Sequence, residues 1–214
     1  MKKTTTILCL GIALCMLGCS DDDDQVTTTS TVPFSLTASL SPRSSDAEDT
    51  GILQGNWDAN SQLAVIKTGS SGVPKSILTR KTDSSDTFTG NLSTLVKNEN
   101  EIAVFYPAAA ITANSSDTLT QTLNLSGQDG TLAGITNYDY LWAQCKAGMN
   151  ETTGSSACEM TSLVTIGKFQ FTVNGGSPLN NITRITITAT AGTLYSSAVM
   201  KLKNGEFSST QTGN

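Results

Sequence analysis

The sequence predicts an all-β protein built as an antiparallel sandwich or barrel. Three observations carry this. Short β-branched runs recur along the 214 residues, separated by Gly, Pro, Asn and Asp turn signals. Several runs alternate apolar and polar residues, the period of a half-buried strand. No stretch sustains the 3.6-residue period of an amphipathic helix.

The elements follow in order. Residues 33–40 put Phe34, Leu36, Ala38 and Leu40 on one parity and polar side chains on the other, a half-buried strand. Residues 41–55 are polar and acidic and read as a loop. The runs QLAVIK (62–67) and EIAVFY (101–106) read as core strands, the second stopped by Pro107. Leu119, Leu123 and Leu125 share one parity and give another strand. Residues 138–144 (YDYLWAQ) form a short aromatic strand. In 162–173, Lys168, Gln170 and Thr172 alternate with Phe169, Phe171 and Val173. Asn174-Gly175-Gly176 is a turn; no Lys-Ser/Thr and helix follow, so it is no phosphate loop. In 181–189, Ile185, Ile187 and Ala189 share a face, while Ile182 has the other parity and implies a bulge or a later start. Residues 194–202 make a strand, and Gly205 turns the chain toward Phe207. No internal repeat is present.

The N-terminus has its own grammar. Lys2 and Lys3 precede an apolar stretch at 7–17, the length of a secretory signal and too short for the roughly 20 residues of a bilayer span. It ends in Met16-Leu17-Gly18-Cys19, which resembles the bacterial lipobox. That resemblance implies lipidation of the Cys19 thiol and cleavage before it; the competing reading is an ordinary signal peptide with an incidental cysteine. Several buried acyl chains, at about 0.8 kcal/mol per methylene, make a stable anchor. Ser20, Asp21, Asp22, Asp23 and Asp24 follow. They read either as a solvated acidic linker or as a resemblance to the surface-export signal of Bacteroidetes lipoproteins. Four adjacent carboxylates repel one another and stay out of any core. The expected organisation is a signal peptide over 1–18, a lipidated acidic tether over 19–32 and a β domain over 33–214.

Composition narrows the function. Taking the first 18 of 214 residues away leaves 196, enough for one large β domain or two small ones. The two lysines lost with them leave 11 basic residues against 18 acidic ones. No basic stripe exists, which argues against a nucleic-acid partner. The chain has no histidine, which removes the commonest general base and metal ligand and any Ser-His-Asp or Cys-His arrangement. With no convincing carboxylate pair either, the chain is expected not to be an enzyme and to hold no cofactor or metal.

Of five cysteines, Cys9 and Cys15 leave with the signal peptide and Cys19 takes the lipid. Cys145 and Cys158 remain, an even pair in an oxidising compartment, so a disulfide is expected. It would close a loop of about 14 residues and contribute roughly 3 kcal/mol. Two free thiols or a metal pair are the competing readings. The enclosed segment KAGMNETTGSSA reads as a polar surface loop. Asp46, Glu48 and Asp49 lack the Gly and final Glu of a calcium loop. Trp57, Tyr138, Tyr140 and Trp142 are either core and rim aromatics or a sugar-stacking platform. Asp117-Thr118-Leu119 matches a short O-glycosylation motif of Bacteroidetes, a three-residue pattern that chance also produces.

The order of the pieces resembles the N-terminal domain of the fimbrillin family, lipoprotein pilins and adhesins of Bacteroidetes. FSLTASLSPRSS ends a strand near Arg43; NWDANSQLAVI sets a Trp and a polar turn before an apolar strand. AVFYP ends in an aromatic–Pro step, QDGTLAGITNYDYLWA leads into an aromatic strand, and SLVTIGKFQFTV precedes ITRITIT. The resemblance implies a transthyretin-like β-sandwich. It also implies cleavage at an Arg or Lys after the first strand, with Arg43 the candidate and Arg80 and Arg184 weaker ones. The vacated groove would then accept a strand donated by another subunit. The alternative for Arg43 is a plain surface charge. Most such pilins carry a second β domain, which this chain is expected to lack.

The expected role is therefore structural and adhesive: a fimbrillin-like pilus subunit, anchor or tip adhesin. It would be lipid-anchored to the outer membrane and exposed at the cell surface or in a fimbrium, with other pilin subunits and a host or glycan receptor as partners. The rival is a surface glycan-binding lipoprotein of a nutrient-uptake system.

Overall fold

The computed structural model describes residues 30–40, 57–69, 72–82, 86–112, 120–128, 131, 134, 136–164, 171–172, 176, 181–184, 186, 188, 190, 195–207 and 212–213. Eleven strands lie among them: β1 Thr31–Leu40, β2 Gln62–Lys67, β3 Ser76–Arg80, β4 Thr87–Ser93, β5 Glu101–Tyr106, β6 Thr120–Asn124, β7 Leu141–Lys146, β8 Gly148–Met149, β9 Gly154–Ser162, β10 Tyr195–Lys201 and β11 Thr212–Gly213. The all-β expectation holds.

The expected two-sheet sandwich is replaced by a closed ring. Strands pair in the order β1-β4-β3-β2-β5-β7-β9, and β1 also pairs with β9, so seven strands form a barrel. β8 continues alongside β9. Every pairing in the ring is antiparallel except β1–β9, which is parallel. Closure removes the open edges that two facing sheets would leave. A second, three-stranded sheet, in the order β11-β10-β6, lies apart from the ring.

Two cores result. The first fills the barrel with side chains of one parity: Leu36 from β1, Leu63 and Val65 from β2, Phe88 from β4, Val104 from β5 and Leu141 from β7. The second lies outside the ring. Ala64 and Ile66 of β2 and Ala103 and Phe105 of β5 meet Leu123 of β6 and Met200 of β10 there. This double burial explains why QLAVIK and EIAVFY are continuous apolar runs: an element covered on both faces has no solvent side to mark with polar residues. β5 ends at a cis Tyr106–Pro107 peptide bond and a 3₁₀ turn, Ala108–Ala110.

Several boundaries differ from the sequence reading. The segment between Cys145 and Cys158, expected to be a loop, holds β8 and the start of β9, joined by a tight turn in which Asn150 Oδ1 accepts the Thr152 and Thr153 amides. The strand expected at 162–173 begins where β9 ends; residues 165–170 and 173 lie outside the described residues. Asn181, Ile182, Thr183 and Arg184 are exposed and in no strand, against the expectation for 181–189. The aromatic strand starts later, at Leu141, after a 3₁₀ turn at Thr136–Tyr138.

Candidate functional site

The feature that stands out is β1 and the place it occupies. Its exposure alternates along the strand: Val32, Phe34, Leu36 and Ala38 are buried in the barrel, and Thr31, Pro33, Thr37 and Ser39 face out. On one side it runs antiparallel to β4, from Thr31 opposite Ser93 to Thr37 opposite Thr87. On the other it runs parallel to β9, from Phe34 beside Gly154 to Leu40 beside Met160.

Pro33 fits this arrangement. Thr94 N donates to Ser30 O and Ala38 N to Asp86 O, so even-numbered residues of β1 carry the bonds to β4. Odd-numbered residues therefore point their amides toward β9. Pro33 lacks that amide, and the β9 ladder starts one residue later, so no bond is lost.

Two glycines shape the slot for Phe34. Its neighbours in register are Gly90 on β4 and Gly154 on β9. A Cβ on Gly154 would stand 2.6 Å from Phe34 Cδ2 and collide with the Met149 sulfur. A Cβ on Gly90 would stand 2.6 Å from Ile77 O. The bulkiest side chain of β1 thus sits where its two partners have none. A two-residue slip would set Phe34 against a side chain on either partner, which holds the register.

The C-terminal end of β1 is held by Trp57, whose Nε1 donates to Ala38 O at 2.7 Å. The indole meets Phe88 edge-on at 4.9 Å and Tyr106 at 5.3 Å between ring centroids. Arg80 Nη1 donates to Trp57 O at 2.6 Å, fixing the segment that presents the indole. At the opposite end of β1 a cleft of about 310 Å³ opens, with Val32, Val96 and Met149 as apolar lining and exposed Lys97, Asn98 and Glu151 at its rim.

The predicted site residues fare differently. Cys19, Ser20, Asp21, Asp22, Asp23, Asp24 and Arg43 lie outside the described residues, as do Asp46, Glu48, Asp49, Asp117 and Thr118. Of the weaker cleavage candidates, Arg80 is half-buried within β3, whereas Arg184 is exposed and in no strand. The four aromatics do not form one platform. Trp57 is buried in the barrel core, Tyr140 and Trp142 pack in the outer core, and Tyr138 donates its hydroxyl to Ser126 O. Tyr140 donates to Asn124 O, and burial raises its pKa above the ordinary value.

Cys145 and Cys158 are brought together. Both are half-buried free thiols packed against the barrel core, with Ser156 Oγ 3.3 Å from Cys145 Sγ. A hydrogen bond from Cys158 holds Cys145 below the usual thiol range, at about 7; the same contact and burial push Cys158 up. Among the described residues, no group of three His, Cys, Asp or Glu side chains is placed to hold a metal. No described helix is long and apolar enough to cross a membrane.

The glycine slot was not foreseen. Its sequence signal, a small residue at a core-facing position of a weak strand, is visible only once the register is known.

No family model and no curated protein matches this chain. Among solved structures it is similar to a Bacteroides ovatus ATCC 8483 protein described as a "putative cell adhesion protein". The TM-score is 0.49 and the identity 16%, over 86% of this chain and 70% of that one.

Proposed function

We propose that this chain is a lipid-anchored surface protein of the outer membrane with a structural and adhesive role, a fimbrillin-like subunit or anchor whose first strand is exchangeable. One observation carries the reading. β1 is buried on a single face, lies between β4 and β9, and precedes the other described strands, so one backbone cut between β1 and β2 separates it from the other strands of the ring. Arg43 lies in that interval. Removing β1 would bare the β4 and β9 edges and the apolar floor beneath Phe34 and Leu36. An incoming strand satisfies both needs, supplying main-chain partners and apolar side chains.

The Cys19 lipobox and the acidic run after it support display on the cell surface. The role is non-catalytic and needs no cofactor. The glycan-binding alternative loses its main support because Trp57 is buried in the barrel core while Tyr140 and Trp142 pack in the outer one.

The test is limited digestion of the purified chain with an Arg-specific protease, with fragments read by mass. The expected product begins at Ser44 and forms ladders that survive mild denaturation. Cutting confined to Arg184, or an uncut monomer that binds a polysaccharide, would refute the proposal.

A further inference from the structure

We infer that Cys145 and Cys158 form a built site for a cross-strand disulfide that pins β7 to β9 inside the barrel wall. The register carries this from both ends. Leu141 opposes Ser162 and Trp142 opposes Thr161; continued three steps further, that register sets Cys145 opposite Cys158. Gly148 opposes Ser155, and three steps back from there Cys145 again opposes Cys158. These two stretches of ladder share one register, and the cysteines fall midway between them.

The pair also has the parity a bridge needs. Leu163 N donates to Tyr140 O at 2.8 Å, and Asn150 N to Thr153 O at 2.9 Å. Hydrogen-bonded pairs in this hairpin therefore involve even-numbered residues of β7 and β8. Cys145–Cys158 is a non-hydrogen-bonded pair, the kind whose Cα atoms approach to about 4.5 Å. A disulfide spans Cα separations of about 4.4–6.8 Å. Both side chains share the barrel-facing parity with Leu141, Ala143 and Met160, and both remain half-buried, within reach of a small reagent.

The chemistry is thiol–disulfide exchange with an external protein or small-molecule disulfide as oxidant. The Cys145 thiolate attacks one sulfur of the oxidant, and the other leaves as a thiolate. The sulfur of Cys158, losing its proton, then attacks the Cys145 sulfur and expels the remaining oxidant thiolate. The two cysteines are oxidised, the oxidant ends as two thiols, and the two protons released by the cysteines are available to them. Because β9 is also the parallel partner of β1, the bridge fixes the wall on which β1 lies.

The test uses the full chain incubated with oxidised glutathione, alkylated, and digested with trypsin without reductant. Cuts after Lys97, Lys146 and Lys168 place the two cysteines in separate peptides, 98–146 and 147–168. The expected result is a linked pair that separates on reduction, with Tm falling by about 5–10 °C when the intact protein is reduced. Alkylation of Cys145 and Cys158 in separate peptides would overturn the bridge. A linked pair whose reduction leaves Tm unchanged would overturn its pinning role.

Discussion

Strands β1 and β5 both run through the barrel wall, yet they are held in different ways. β5 is buried on both faces: Ile102 and Val104 fill the barrel, while Ala103 and Phe105 anchor the outer sheet. β1 is buried on one face only, and its outer face carries Thr31, Pro33, Thr37 and Ser39. Removing β5 would open two cores at once; removing β1 would open one. The proposed exchange of β1 rests on its belonging to the second kind, and the difference is written in side-chain alternation rather than in hydrogen bonding.

The largest way to test that contrast is Phe105→Ala. It empties a fully buried position of the outer core and should cost about 4 kcal/mol. Tm should fall by roughly 10 °C, read by calorimetry, with the outer sheet loosening first. Next comes Gly154→Ala, which fills the Phe34 slot from the β9 side. A cost of about 2 kcal/mol is expected. Hydrogen exchange should show β1 amides losing protection while β5 amides keep theirs; uniform loss would erase the distinction between the two strands.

Gly205→Ala probes the other core. Gly205 has φ +68°, and a Cβ there would stand 2.6 Å from the Trp142 ring. Left-handed strain and overpacking together should cost about 2 kcal/mol. The chain has two tryptophans, one in each core, so fluorotryptophan NMR should move the Trp142 signal and leave that of Trp57 in place. The smallest effect belongs to Glu99→Gln. Its ion pair with Lys146, at 3.2 Å, is exposed on both sides. The change should cost under about 0.5 kcal/mol, and Tm should stay within about 2 °C.

The sequence revealed strands where burial leaves a pattern and hid them where it does not. QLAVIK and EIAVFY are visible because both faces are apolar, and β1 because its inward residues are large. β9 places Gly154, Ser156 and Cys158 at barrel-facing positions, and β4 places Gly90 between Phe88 and Leu92. Small or polar residues there remove the alternation that marks a strand. The closure of the ring had no local signal at all, since it joins residues far apart in the chain. The sequence left Cys145 and Cys158 as the two remaining cysteines, whereas the hairpin that sets them on adjacent strands was hidden, because Gly, Ser, Thr and Asn make up most of it.

The parallel β1–β9 seam also sets an order of events. Phe34 finds Gly154 only after most of the chain between them has been laid down. Contacts at that separation carry the largest loop-closure cost in the ring and raise the mean contact order, which slows folding. Among the described strands β1 is the first to be synthesised, and its parallel neighbour β9 follows more than 100 residues later. In the interval its apolar face and one ladder edge stand open, a period in which a chaperone or a second chain could compete with β9 for it.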